Sequence, residues 1–266
     1  MTCWENIPFF YEKQYGKIKQ KVRKNADKFI AITERAKQAL LLEGVSKDKI
    51  KVINVGVDLD KFQPQKKDTK LMKKIGVSEN DFIVLFAGQH ETRKGVFDLI
   101  YAAKTIISDP KLSNFSIKFL FVGKGSKTQE MTNLANSLKI SGSCIFLNNI
   151  SYNNMSKIHN LANIFVLPSI PVKAWQEQWG MVLTESMACK KPVISTLSGS
   201  IPEVIGDAGL LIQPNDSLSL YNSIRRLMLD KQLRTKLGTK ARQRVEKRFN
   251  SIKISKQLDE VYQELI

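Results

Sequence analysis

Residues 163–214 read NIFVLPSIPVKAWQEQWGMVLTESMACKKPVISTLSGSIPEVIGDAGLLIQP. Three short apolar runs stand out: NIFVLPS (163–169), PVIS (192–195) and GLLIQP (209–214). Runs of this length with little alternation are what strands buried on both faces look like. Between them, 180–189 and 200–205 read as helices. Strands that alternate with helices imply a parallel sheet covered on both sides.

The same rhythm extends toward the N-terminus. FIVLFAG (82–88), SIKFLFVG (116–123) and SCIFLN (143–148) read as further strands, with helices near 127–138 and 152–161. Val96, Leu99, Ile100, Ala103 and Ile107 fall on one helical face. The strand count suits one doubly wound α/β domain. Ahead of it lie a basic helix over 13–28, a buried strand FIAI (29–32), a helix capped by Thr33 and ended by Gly44, and a strand KIKVIN (49–54). GVDLDKFQP (56–64) reads as turn and linker, and the lysine-rich QKKDTKLMKK (65–74) as a connection. The opening MTCWENIPFFYEKQ carries Trp4, Ile7, Pro8, Phe9 and Phe10. It has neither a strand ahead of it nor the basic-then-apolar pattern of a signal peptide, which gives the expectation of truncation upstream. Residues 216–266 read as two or three amphipathic basic helices, with Leu218, Ile224, Leu227 and Met228 on one face.

Composition narrows the class without naming it. Forty-two Lys and Arg against 25 Asp and Glu give a net charge of +17. Nucleic acid, an anionic membrane surface or phosphorylated substrates would each answer that charge, as would a solubility effect alone. Three unclustered cysteines, Cys3, Cys144 and Cys189, argue against a disulfide framework and for a reducing, cytoplasmic compartment. No apolar run approaches the roughly 20 residues of a membrane span.

Ligands of an open parallel sheet bind beyond the carboxyl ends of its strands. The loop GQHETRKG (88–95) sets Arg93 and Lys94 just before a helix N-terminus, where backbone N–H groups and the helix dipole favour an anion. GKGS (123–126) resembles half of a dinucleotide fingerprint and is equally consistent with a simple turn. The loop 168–180 and its helix carry Glu177 and Glu185, placed to line one cleft. A carboxylate there can accept two hydrogen bonds from a vicinal diol of a sugar. The N–H groups of Gly180, Met181 and Val182 open that helix. The bland alternatives are a solvated basic loop for Arg93 and Lys94 and surface charges for the two glutamates. The two histidines, His90 and His159, lack metal-ligand spacing, and no metal is expected at Asp58-Leu59-Asp60.

The string from Glu177 to Pro214 resembles the signature region of the retaining group 1 glycosyltransferases, which have the GT-B fold of two Rossmann-like domains: an E-x7-E pair, a small-residue helix, a PVI strand and a G-x-x-P-E-V turn. FAGQHETRKGVFDLIYAAK, FLFVGKG, NIFVLPS and VINVGVDLDKFQP resemble other segments of the family in the same order. The resemblance implies residues 1–62 as a remnant of the acceptor-side domain with its linker, 63–249 as the complete donor-binding domain, and 250–266 as a helix crossing back to the N-terminal domain. It implies that Lys94, helped by Arg93, binds the donor diphosphate. Glu177 would contact the transferred sugar and Glu185 the ribose. Gly180, Met181 and Val182 would offer backbone groups, and Gly88 a close backbone approach. Two departures stand out. Gln89 occupies a position that is often Arg, and Lys190 replaces a Gly expected in a left-handed turn.

The implied reaction is hexose transfer from a nucleotide diphosphate sugar, with retention, to a glycan or lipid-linked acceptor in cell-surface glycan or glycolipid synthesis. It would need no metal or other cofactor and no nucleic acid. The basic segment 13–28 suggests peripheral contact with an anionic membrane at the inner face. A non-catalytic donor-binding subunit that needs a separate acceptor-domain protein, and a basic nucleic-acid-binding module, stay open as alternatives.

Overall fold

The computed structural model describes every residue except Phe10, Tyr11 and Asn149, so the Phe10 part of the aromatic opening lies outside the described residues. Three strands, β1 (Thr2–Cys3), β2 (Phe29–Ala31) and β3 (Ile50–Val52), form a small parallel sheet in the order β1-β2-β3. They are joined through α1 (Glu12–Asn25) and α2 (Glu34–Leu42). The expectation that no strand precedes Trp4 is corrected here. Thr2 and Cys3 pair in parallel with Ile30 and Ala31. Two residues are too short to show the period-2 pattern from which a strand is read. Thr33 caps α2 as expected, its Oγ1 accepting from the Ala36 N–H at 3.0 Å.

After the linker comes α3 (Thr69–Ile75), where the sequence suggested only a lysine-rich connection. Asp68 accepts from the Leu71 N–H at 3.0 Å as its N-cap, and buried Met72 anchors it. Five parallel crossovers follow: β4 (Phe82–Ala87), α4 (Val96–Ile107), β5 (Ile117–Val122), α5 (Thr128–Ser137), β6 (Cys144–Leu147), α6 (Met155–Leu161), β7 (Ile164–Leu167), α7 (Met181–Ala188), β8 (Val193–Thr196), α8 (Ile201–Ile205) and β9 (Gly209–Ile212). Three helices close the chain: α9 (Ser217–Leu229), α10 (Lys231–Arg248) and α11 (Ser251–Gln263).

The large sheet has the order β6-β5-β4-β7-β8-β9, all parallel. The chain builds outward from β4 to β6, then returns to the centre and builds the other way from β7. The strand order therefore reverses between β4 and β7, the kind of switch point beyond whose strand ends ligands of open parallel sheets bind. Central strands β4, β7 and β8 are buried at every residue, whereas the edge strands β6 and β9 are half-buried. This is why the central runs are the most uniformly apolar.

The two sheets are linked twice. The linker N–H of Val57 donates to the Phe249 carbonyl at 2.7 Å, and the Ser251 N–H donates to the Val57 carbonyl at 3.1 Å. From that crossing α11 runs back onto the small sheet, setting Ile254, Leu258 and Val261 against Ile30 and Ile53. Asp58 Oδ1 accepts from the N–H groups of Asp60 and Lys61, which gives the Asp-Leu-Asp segment a turn-forming role.

Lys190 adopts φ 60°, the left-handed conformation the sequence implied. Its side chain is exposed, so Lys190→Gly is expected to stabilise the protein by ~0.5–1 kcal/mol through relief of the Cβ clash. A higher urea midpoint at unchanged m-value would show it; an unchanged or lower midpoint would refute it.

Candidate functional site

The candidate residues gather at the switch point. The loop after β4 ends in Gly95, whose φ of 69° turns the chain into α4. A Cβ there would sit 1.9 Å from the Pro168 carbonyl oxygen, so only glycine lets the loops after β4 and β7 touch. The Ile170 N–H donates to the Arg93 carbonyl at 2.8 Å and fastens the same junction. Lys94 and Glu177, 83 positions apart, are thereby brought into an ion pair of 2.7 Å between Nζ and Oε2.

Glu177 is no solvated loop residue. It is 6% exposed, and the Ser169 hydroxyl donates to the same Oε2 at 2.7 Å. Oε1 has no hydrogen-bond partner among the described residues and remains free to accept from a ligand hydroxyl. Its main-chain carbonyl takes the Ser200 N–H at 2.9 Å and the Asn6 side-chain amide at 3.0 Å. Loops after β7 and β8 and the start of the small lobe therefore meet at this one residue. The lobes touch again where the Glu34 N–H donates to the Glu203 carboxylate and Arg35 to Gln176.

The Trp175 ring supports both cations: the Arg93 guanidinium lies 4.2 Å and Lys94 Nζ 4.6 Å from its centroid. Arg93 also donates to Gln89 Oε1 at 2.6 Å. The Gln that departs from the expected Arg thus holds a neighbouring Arg in place.

Beside this pair opens a cleft of about 790 Å³, lined by residues following four strands, among them Gly88, Gln89, Gly123, Lys124, Tyr152 and Glu185. Val182 also lines it, whereas Lys94, Arg93, Glu177, Gly180 and Met181 do not. Gly180 immediately precedes α7, and Met181, its first residue, is 45% exposed. Glu185 is in the second turn of α7 and only 4% exposed, with Oε2 3.3 Å from Nε2 of fully buried His159. Burial and then the carboxylates of Glu185 and Asp58 raise the pKa of the Tyr152 phenol. At Gly88 an added Cβ would meet only the Phe86 ring, at 3.5 Å. The tight approach is at Gly123, where a Cβ would come 2.0 Å from the Gly88 carbonyl oxygen. The second glycine loop is therefore structural to the cleft floor.

Sequence reasoning singled out the loop that holds Lys124 but missed Ser169, Trp175, Tyr152, Asn6 and His159 as members of this region. The polar ones among them carry no local signal, because they come from separate stretches of chain: Asn6 follows β1 and Ser169 β7, while Tyr152 and His159 both follow β6. His90 is also fully buried, its Nδ1 2.9 Å from Thr128 Oγ1, and burial lowers its pKa. Among the described residues no group of three or more His, Cys, Asp or Glu is placed to hold a metal ion, and no helix is long and apolar enough to cross a membrane.

Comparison with known proteins follows the same lines. The chain is 30% identical over 200 residues to an N-acetyl-alpha-D-glucosaminyl L-malate synthase of Bacillus anthracis, covering 74% of this chain and 49% of that protein. It is 29% identical over 252 residues to a capsular polysaccharide biosynthesis glycosyltransferase of Staphylococcus aureus, covering 89% of this chain and 61% of that one. The chain thus spans about half to three fifths of the curated relatives it matches. Among solved structures, sucrose-phosphate synthase from Thermosynechococcus elongatus superposes with a TM-score of 0.78 at 27% identity, over 94% of this chain and 61% of that one. Anabaena HepE, solved in complex with UDP and glucose, gives 0.86 at 21% identity over 99% and 71%, a likeness of fold. The family described as glycosyl transferases group 1 matches residues 67–244, and the chain belongs to that family, with the parallel-sheet architecture of GT-B glycosyltransferases.

Proposed function

We propose that this chain provides the donor-binding half of a transferase that moves a hexose from a nucleotide diphosphate sugar to an acceptor with retention at the anomeric carbon. The observation that carries the reading is the Lys94–Glu177 pair at the switch point, next to a cleft walled by Glu185. In this reading residues 63–249 are the donor domain, residues 1–62 belong to the acceptor side, and 250–266 cross back to it. The Glu185 carboxylate accepts both ribose hydroxyls. The diphosphate runs along Gly88 toward Lys94 and Arg93, with the N–H groups of Gly180, Met181 and Val182 at the opening of α7. Oε1 of Glu177 accepts from a hydroxyl of the hexose. As the bond between the anomeric carbon and the diphosphate oxygen breaks, its electron pair leaves with the phosphate. Lys94 and Arg93 stabilise that charge, which is the service a metal gives elsewhere. The acceptor hydroxyl oxygen then bonds to the same face of the sugar as its proton passes to the departing phosphate oxygen.

The relative named for capsular polysaccharide biosynthesis supports a role in glycan assembly. The basic α1, Lys- and Arg-rich along its length, fits peripheral docking at the inner face of an anionic cytoplasmic membrane.

The test is a thermal-shift titration of the chain with UDP- and GDP-sugars, since a ligand of the folded state raises apparent stability. One nucleotide series is expected to raise Tm. Glu185→Ala is expected to weaken that binding by roughly 10- to 100-fold, the loss of charge-assisted hydrogen bonds. No shift with either series, or an equal shift in the variant, would contradict the reading.

A further inference from the structure

A second groove, of about 760 Å³, lies on the side of the molecule where the linker and the returning chain cross. It shares no lining residue with the Glu185 cleft. Val52 and Asn54 at the end of β3 form one wall and Ile254 and Gln257 of α11 another. The third wall is one face of α10, which carries Lys240, Gln243, Arg244, Lys247 and Arg248. Positions 240, 244, 247 and 248 recur at the helical interval and span ~12 Å along the axis.

Four cations thus face a groove in which Asp207 is the one lining carboxylate, and Lys240 already pairs with it at 2.7 Å. Arg244 is anchored by neutral groups: its Nε donates to the Val204 carbonyl at 2.8 Å and Nη2 to the Glu203 carbonyl at 2.7 Å. Those bonds fix the guanidinium without cancelling its charge. The turn at Gly206 is built around it, since a Cβ there would lie 2.6 Å from the guanidinium carbon. Burial and the neighbouring Arg248 cation lower the Arg244 pKa, against the opposing pull of the Asp207 and Glu203 carboxylates. Lys247 and Arg248 are exposed and have no carboxylate partner within 4.0 Å among the described residues. Like charges held together around a recess, one of them immobilised, form a preorganised receptor for a multiply charged anion.

We infer that this groove binds a small anion carrying two or more phosphoryl groups, gripped by Arg244, Lys247, Arg248 and Lys240 where the two lobes cross. Its walls come from both sheets' lobes, so an occupant fastens α10 to the end of β3. The inference stands independently of the donor reading.

Inorganic pyrophosphate is the probe, titrated calorimetrically at ionic strength held constant with chloride, against the wild type, Lys247→Gln/Arg248→Gln and Lys94→Gln. The exposed pair leaves the core untouched, and circular dichroism with the unliganded Tm verifies folding. Pyrophosphate is expected to bind the double variant about tenfold or more weakly than the wild type, whereas Lys94→Gln removes only the share of binding that belongs to the donor cleft. If only Lys94→Gln loses binding, the anion sits in the donor cleft and the inference falls. Binding that is absent, or equal in all three proteins, overturns it as well. A Lys231→Gln/Lys236→Gln variant, on the same helix outside the groove, is expected to bind as the wild type does; an equal loss there would reduce the effect to net charge.

Discussion

Lys94→Ala is expected to cost both stability and donor binding, and a second substitution separates the two. Glu177 is 6% exposed and its Oε2 has two partners, Lys94 and Ser169. Removing the cation leaves a buried carboxylate with one hydroxyl donor. Breaking a buried pair by deleting one partner costs about 3–5 kcal/mol, and the residual solvent access of the Lys94 side chain brings the expectation to ~2–4 kcal/mol. Adding Glu177→Gln removes the uncompensated charge, so Lys94→Ala/Glu177→Gln is expected to regain most of the lost stability in urea unfolding. Nucleotide-sugar binding, and hence the transfer proposed above, is not expected to return with it. On the proposed reading, losing the Lys94 charge at the departing diphosphate costs on the order of 10²- to 10³-fold in rate. Full activity in the refolded double variant would show that the pair is only a structural bridge. A single variant as stable as the wild type would show that the pair contributes nothing to the fold.

Gly95→Ala is expected to be the most damaging single-methyl change in the loop after β4. The new Cβ would be 1.9 Å from the Pro168 carbonyl oxygen, a backbone atom that cannot rotate away, at φ 69°. Left-handed strain contributes about 1–2 kcal/mol, and forced displacement of packed backbone adds about 1–3 kcal/mol. The expected loss is therefore ~3 kcal/mol or more, with Lys94 displaced from Glu177. Gly142→Ala is the control: its Cβ would meet nothing within 4 Å and φ carries no penalty. Equal urea midpoints for the two variants would remove the close approach from the account of the site.

The fold was largely legible in the sequence because its central strands are buried on both faces. FIVLFA, IKFLFV and IFVL announce themselves by uniform apolarity, and their alternation with helices leaves a parallel sheet as the one economical arrangement. What escaped was local and short. Thr2–Cys3 has no period to read, and α3 hid its Asp68 cap within a lysine run whose composition suggested a solvated connection.

The candidate site divides along the same line. Sequence alone named Glu177, Glu185, Lys94 and the glycines as candidates, from their places at strand ends and helix starts and from the resemblance to the family's signature region. It could not tell that Lys94 reaches Glu177 and that Glu185 instead meets His159 and walls the neighbouring cleft. Nor could it find Trp175 beneath two cations, or Gln89 steadying Arg93. The periodicity of one chain segment encodes which face is buried, and hence each strand and helix. Which strand ends become neighbours is set by the order β6-β5-β4-β7-β8-β9, a property of the assembled sheet, and only that order brings side chains 83 positions apart within 2.7 Å.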